Sequence, residues 1–136
     1  VISCCAKTRT VQGKETWISN EMLTAYATLH RLNFAHSVEC WEGGNLVGGL
    51  YGVALGKVFF GESMFSRVAN ASKFALIHLV DFLRKNDYRL IDCQMTTAHL
   101  VSLGAREIPG KAFQHLLEKH IKTITSDGAW PHEESA

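Results

Sequence analysis

Glycines crowd the most apolar stretch of this chain: Gly48, Gly49 and Gly52 fall within Leu46–Leu55, and Gly56 follows directly. Glycine weakens a strand interior because it offers no side chain to pack. This density therefore marks a bulge, or a close approach by another backbone or a ligand. The flanks agree with a strand. Before the run, His36-Ser37-Val38-Glu39-Cys40-Trp41 alternates like a strand, and Glu42-Gly43-Gly44-Asn45 has turn composition. After it, Gly56 closes a tight turn into Lys57-Val58-Phe59-Phe60-Gly61-Glu62. These pieces predict a three-stranded antiparallel meander.

Helices are expected on either side. Val1-Ile2-Ser3-Cys4-Cys5-Ala6 reads as strand-like and residues 7–18 as a loop. Ser19 or Asn20 can cap a helix in which Met22, Tyr26 and Leu29 recur at helical spacing up to about Leu32. A second helix begins near Asn70, with Phe74, Leu76, Ile77, Val80 and Leu83 on a broad apolar face and Arg84-Lys85-Asn86 at its end. Then come a strand at Arg89–Gln94, a short helix around Ala98–Leu103, Gly104 as a left-handed stop, and a strand at Ala105–Ile108. Pro109-Gly110 turns the chain into a helix from Lys111 to about Ile121, with Phe113, Leu116, Leu117 and His120 on its inner face. The expected class is mixed α/β (α+β). A meander followed by β-α-β with flanking helices is a GNAT-like acyltransferase pattern. That is an analogy of architecture, and architecture alone does not give chemistry.

The chain's 136 residues make about one domain, able to bury a core without metals or disulfides. A net charge of +1 gives no global field for a polyanion, so any nucleic-acid contact must rest on local groups. No apolar stretch reaches the ~20 residues of a membrane helix, and no signal-peptide pattern is present. Cys4, Cys5, Cys40 and Cys93 form no C-x-x-C pair, and the histidines show no H-E-x-x-H spacing, which argues against a metal site. Free thiols in a reducing cytosol are the expectation, hence a cytoplasmic protein. The chain opens on Val1 rather than Met, and is expected to lack an N-terminal part. Residues 1–125 are read as the catalytic domain and 126–136 as a polar tail that frays.

An acyl-CoA-dependent enzyme of this architecture would cradle a pyrophosphate with a Gly-rich loop near residues 62–71. Glu62-Ser63-Met64-Phe65-Ser66-Arg67-Val68-Ala69-Asn70-Ala71 stands there instead, without glycine and with a carboxylate at its entrance. Acetyl-CoA is therefore not the expected donor. Five ordered motifs resemble those of the bacterial leucyl/phenylalanyl-tRNA–protein transferases. They are Leu46-Val47-Gly48-Gly49-Leu50-Tyr51-Gly52-Val53-Ala54, Phe60-Gly61-Glu62-Ser63-Met64-Phe65-Ser66-Arg67, Asn70-Ala71-Ser72-Lys73, Leu90-Ile91-Asp92-Cys93-Gln94, and His99 with Ser102-Leu103-Gly104-Ala105-Arg106-Glu107-Ile108-Pro109. The resemblance covers roughly residues 1–125. The family's additional N-terminal, tRNA-contacting domain is expected to be absent from this chain.

What the resemblance implies is attack by the α-amino group of a protein with N-terminal Arg or Lys on the Leu or Phe ester of an aminoacyl-tRNA. The new N-terminus then marks the protein for N-end-rule degradation. No cofactor or metal is implied, no membrane is involved, and a monomer is the default. The ester is already activated, so a site must supply positioning, proton removal and oxyanion stabilisation. Asp92 and Gln94 lie two apart on an expected strand and so share a face. The resemblance makes them the catalytic pair, with Asp92 orienting Gln94 as a hydrogen-bond partner of the amine. Otherwise Asp92 ties down a loop beside a surface Gln94. Glu62, after two aromatics, suits a cationic acceptor, or else is a surface charge or cap. Leu50, Phe59, Met64 and Leu76 are candidates for the donor side-chain pocket, Met being adaptable to both shapes, with plain core packing as the alternative. Trp17 is a candidate to stack on the terminal adenine, and Arg67 and Arg106 to meet phosphates, against a half-buried anchor and solvated charges. Two other functions stay open, an acyl-CoA-dependent N-acyltransferase and a non-catalytic module that binds basic N-termini.

Overall fold

A computed structural model describes residues 1–13, 16, 18–123, 130 and 131. The order is α1 (Ile2–Val11), α2 (Asn20–Arg31), β1 (Ala35–Glu42), β2 (Asn45–Leu55), β3 (Val58–Ser66), α3 (Ala71–Lys85), β4 (Leu90–Asp92), α4 (Ala98–Ser102) and α5 (Gly110–His120). The sheet runs β1-β2-β3-β4. β1, β2 and β3 form the expected antiparallel meander, and α3 carries the chain across to β4, which pairs parallel to β3.

The glycines let backbones meet. A Cβ on Gly48 would collide with the Cβ of Ala71, the first residue of α3. A Cβ on Gly52 would collide with the Phe60 carbonyl oxygen and come within 2.6 Å of the Phe59 ring. One face of the sheet packs on α3 through Leu50, Phe59, Ala75, Leu79 and Leu83. The other packs on α1 and α2 through Cys5, Ile18, Tyr51 and Phe65, with Leu23 and Tyr26 beside them.

Three expectations differ. Val1–Ala6 is not a strand: α1 begins at Ile2 and runs through half of the segment expected to be a loop. Val1, Ile2, Cys4, Cys5 and Ala6 all join the core cluster with Tyr51 and Phe65. Successive residues thus face the core, which the alternation of a strand would not allow, because the sheet offers α1 a face rather than an edge. Residues 105–108 do not join the sheet. The Ala105 amide closes onto the Leu100 carbonyl at 3.0 Å, and local bonds hold the segment. Asn70 precedes α3 in the left-handed region at φ 66° and makes no side-chain cap, so Ser66 Oγ accepts from the Ser72 amide instead, at 3.2 Å.

Ser19 caps α2 through the Met22 amide at 3.2 Å, as expected. The inner face of α5 is half-buried at Phe113, Leu116, Leu117 and His120. Within the expected tail, Trp130 lies on the core: its ring stacks on His36 at 4.1 Å, and its Nε1 donates to the Tyr88 hydroxyl at 3.0 Å.

Candidate functional site

The sheet ladder between β3 and β4 is three residue pairs long and ends at Phe60 opposite Asp92. Past that point side chains take over from backbone. The Gln94 Nε2 donates to the Gly61 carbonyl at 3.0 Å, continuing the connection to β3 where the strand pairing has stopped. The Asp92 Oδ1 accepts from the Gln94 backbone amide at 2.8 Å. This turn sets Gln94 at φ 64°, a left-handed conformation uncommon for a residue with a Cβ. The strand expected over 89–94 thus ends at Asp92, and the shared strand face of Asp92 and Gln94 does not exist. The two are joined by an Asx-type turn, because a short Asp side chain competes with the ladder for the next amide. A carbonyl only accepts, so the Gln94 amide nitrogen must face Gly61 and its Oε1 must point the other way.

Glu62 follows Gly61 and occupies a β-bulge. Gly52 faces Gly61 and Tyr51 faces Ser63, which leaves Glu62 opposite no residue of β2. A bulge re-aims a side chain and bends its strand, and here it directs the half-buried carboxylate toward two phenols. The Tyr26 and Tyr51 rings meet edge to face, 5.3 Å between centroids. Burial first, then the charge of Glu62 and a hydrogen bond with it, push the Tyr26 hydroxyl up to about 12. Burial also raises Tyr51, with Cys5, Tyr26 and Glu62 adding to it. Both phenols are therefore protonated donors at neutral pH. Tyr51 is 4 % exposed, and its hydroxyl has no hydrogen-bond partner among the described residues.

The four residues assigned to a side-chain pocket come together. Leu50 and Phe59 are core residues, with Met64 and Leu76 packed half-buried against them. Met64 is the cross-strand partner of Leu50, and Phe59 sits beside Ile91 of β4. This apolar group lies on the α3 face of the sheet. Glu62 turns toward the α2 face.

Arg67 is exposed and reaches the Leu46 carbonyl at 3.5 Å. It lines an open cavity of about 440 Å³ with Ser66, Asn70, Lys73 and His99. Arg106 is exposed in the segment after α4, and that segment is tied to the turn after Asp92 by the Thr96 hydroxyl, which donates to Glu107 at 2.7 Å. Trp17 lies outside the described residues.

Sequence reasoning missed Tyr26, Tyr51, Lys73 and His99 as neighbours of these groups. Tyr26 and Tyr51 come from α2 and β2 and meet Glu62 only through tertiary packing, so no spacing announces them. Lys73 and His99 lie in motifs that carry the resemblance, and their approach to Arg67 needs α3 and α4 in place.

Fold and site together define a mixed α/β domain whose polar groups, a bulged carboxylate and a carbonyl-anchored amide, gather where the parallel pairing of β3 and β4 ends. The family model described as leucyl/phenylalanyl-tRNA protein transferase matches residues 1–118, and the chain belongs to that family. It is 56% identical over 133 residues to the leucyl/phenylalanyl-tRNA–protein transferase of Syntrophobacter fumaroxidans, covering 98% of this chain and 57% of that one. Similar relatives of the same name occur in Desulfotalea psychrophila, 58% identical over 96% of this chain and 57% of the relative, and in Nitrosomonas eutropha, 60% identical over 96% and 55%. The chain thus spans just over half the length of these relatives. Among solved structures, a PaiA N-acetyltransferase from Thermoplasma acidophilum in complex with coenzyme A aligns over 94% of this chain and 85% of its own, with a TM-score of 0.49 and 14% identity. No helix among the described residues is long and apolar enough to cross a membrane.

Proposed function

We propose that the full-length protein containing this chain transfers Leu or Phe from aminoacyl-tRNA to the α-amino group of proteins that begin with Arg or Lys. It would act in the cytoplasm, on proteins destined for N-end-rule degradation. The supporting observation is the joined pair of polar groups: Gly61, whose carbonyl anchors Gln94, is the residue before Glu62. An acceptor with a cationic N-terminus suits Glu62, and its attacking amine suits the Gln94 Oε1.

The chemistry needs little beyond placement. The neutral amine attacks the ester carbonyl carbon, a C–N bond forms, and the carbonyl π pair moves to oxygen. Collapse breaks the C–O bond to the tRNA 3′ end, and the proton lost by nitrogen goes to the departing ribose oxygen. Gln94 is too weak a base to take that proton. Its Oε1 holds the amine N–H and fixes the line of attack, while the proton passes directly or through water to the leaving oxygen. Asp92 holds Gln94 in its left-handed turn. The half-buried Met64 and Leu76, backed by the core residues Leu50 and Phe59, are the side chains offered to the donor Leu or Phe. Trp17, Arg67 and Arg106 serve the tRNA end, and the cavity adds Lys73 and His99 to Arg67.

The test is transfer of radiolabelled Leu or Phe from charged tRNA, by the full-length protein, to a peptide beginning with Arg and to one beginning with a neutral residue. Transfer to the Arg peptide alone is expected. Equal labelling of both peptides would contradict the acceptor assignment, and labelling of neither would contradict the reaction.

A further inference from the structure

The cavity beside Arg67 gathers cations from three separate places. Arg67 follows the end of β3, the half-buried Lys73 lies in the first turn of α3, and His99 belongs to α4. The remaining walls are neutral, and among the described residues no carboxylate lines the cavity. In a chain whose net charge is only +1, this is a local excess with no counter-charge of its own. Arg67 is held by its surroundings: it reaches the Leu46 carbonyl at 3.5 Å and the Cys4 Sγ at 3.7 Å, and its guanidinium stands over the Phe65 ring at 5.9 Å. Among the described residues, neither the Lys73 ammonium nor the His99 ring has a hydrogen-bond or ion-pair partner. Lys73 is also poorly placed for the helix alone. α3 has no acidic residue in its first turn and no side-chain cap at Asn70. The N-terminal end of a helix carries a partial positive charge, so a lysine there costs stability. A local rule broken without internal compensation points to function, and an anion among the three cations supplies the missing charge.

The cavity stands apart from the reacting ester. Gln94 is anchored at Gly61, and β3 runs on from there to Ser66 at the cavity wall. At roughly 3.3 Å per residue, that stretch of strand separates the two by roughly 16 Å. We infer that the cavity holds a phosphodiester of the donor tRNA's unpaired 3′ strand, a few nucleotides inside the esterified end, with Lys73 as its principal charge and Arg67 and His99 beside it. The inference rests on the donor reading given above and deepens it. A phosphate contact carries no base information. It fixes the register of the strand, and so the reach of the ester toward Gln94, whatever the tRNA sequence. Its effect belongs to donor binding rather than to the chemical step.

The experiment compares the full-length protein with its Lys73→Gln, Lys73→Arg and Lys73→Glu variants. Binding of charged tRNA is measured without acceptor over about 50 to 200 mM salt, beside steady-state transfer to an Arg-initiated peptide and thermal unfolding of the free proteins. Lys73→Gln is expected to weaken tRNA binding about five- to ten-fold at low salt. It should also reduce the slope of log affinity against log salt by about 0.7, the share of one single-strand phosphate contact. The KM for charged tRNA should rise in step, with kcat and the KM for the peptide within about two-fold of the parent. Lys73→Arg should keep the parent's slope. Lys73→Glu should weaken tRNA binding further yet raise the Tm of the free protein by about 2 °C, because a carboxylate suits the helix end and the neighbouring cations. A lysine that serves the fold would lower both, and a Lys73→Glu protein with a lower Tm overturns the inference. So does a salt slope that Lys73→Gln leaves unchanged. Protection of the parent by inorganic phosphate, with tRNA binding indifferent to Lys73, would assign the cavity to a small free phosphate and overturn it too. A change in the KM for the peptide alone would move the cavity to the acceptor, with the same result. If the parent transfers normally and Lys73→Gln matches it, the inference fails and the donor reading stands. If the parent binds tRNA with the Lys73-dependent slope and transfers nothing, the reaction fails and the phosphate site stands.

Discussion

Replacing Gly52 with Ala is expected to loosen the sheet at the point that shapes the site. Gly52 faces Gly61 across β2 and β3, directly beside the Glu62 bulge. An added methyl would run into the Phe60 carbonyl oxygen and sit 2.6 Å from the Phe59 ring. Neither neighbour can yield cheaply: one is backbone inside the ladder, and the other is a ring in the core at 1% exposure. Overpacking of a filled interior costs about 1–3 kcal/mol, and a clash with fixed backbone belongs at the upper end, near 3 kcal/mol. For a domain of this size that corresponds to a fall in Tm of roughly 10 °C. Gly61→Ala is the matched control, because its methyl would meet only the Asp92 carbonyl oxygen at 3.4 Å, an ordinary contact. Its expected change is below about 1 kcal/mol. Thermal and urea unfolding of the two variants, followed by circular dichroism, decide the matter. Equal stabilities would refute the assignment of Gly52 to a close backbone approach, and with it the packing that sets the bulge.

Other outcomes follow from the same structure. Trp130→Ala should lower stability by about 2 kcal/mol, since its ring lies against His36, Phe59, Phe82 and Tyr88; unchanged urea unfolding would show that these contacts contribute nothing. The Cys5 thiol is pushed up to about 11, chiefly by burial. The folded chain therefore keeps a proton that the unfolded chain gives up from about pH 9, and stability should fall as pH rises from there toward 11. Cys5→Ala should flatten that fall, and an identical pH profile would contradict the burial. Native Cys5 should also resist alkylation at pH 8 while denatured Cys5 reacts, as mass spectrometry of the labelled peptide would report.

Much of the fold is written in local patterns. The alternation of His36–Trp41, the turns at Gly43-Gly44 and Gly56, and the apolar faces of α3 and α5 are short-range signals, and each predicts its element. What failed was context. Val1–Ala6 is apolar enough for either a strand or a helix, and the helix forms because the sheet presents a face there. The Ala105–Ile108 run has strand composition but is held by the Ala105 amide on Leu100 of α4 and by the Thr96 hydroxyl on Glu107. The site was legible in part. Asp92, Gln94 and Glu62 stood in recognisable motifs, and the glycines announced a bulge. Spacing could not show that Gln94 leaves the strand, because that depends on one Asp–amide bond and one carbonyl of a neighbouring strand. Nor could it show that two tyrosines from separate elements flank Glu62.

The most direct measurement is single-turnover transfer of Leu or Phe from charged tRNA to an Arg-initiated peptide, by the full-length protein and its Asp92→Ala variant. Circular dichroism should show both proteins folded. Losing the Oδ1 that accepts the Gln94 amide releases the turn and misplaces the Oε1. A misplacement of about 1 Å is enough to cost roughly 100-fold in rate, and a loss of that order is the predicted result. A folded Asp92→Ala protein that transfers at the parent's rate would contradict the account, because the turn joining Asp92, Gln94 and Gly61 would then have no part in the reaction.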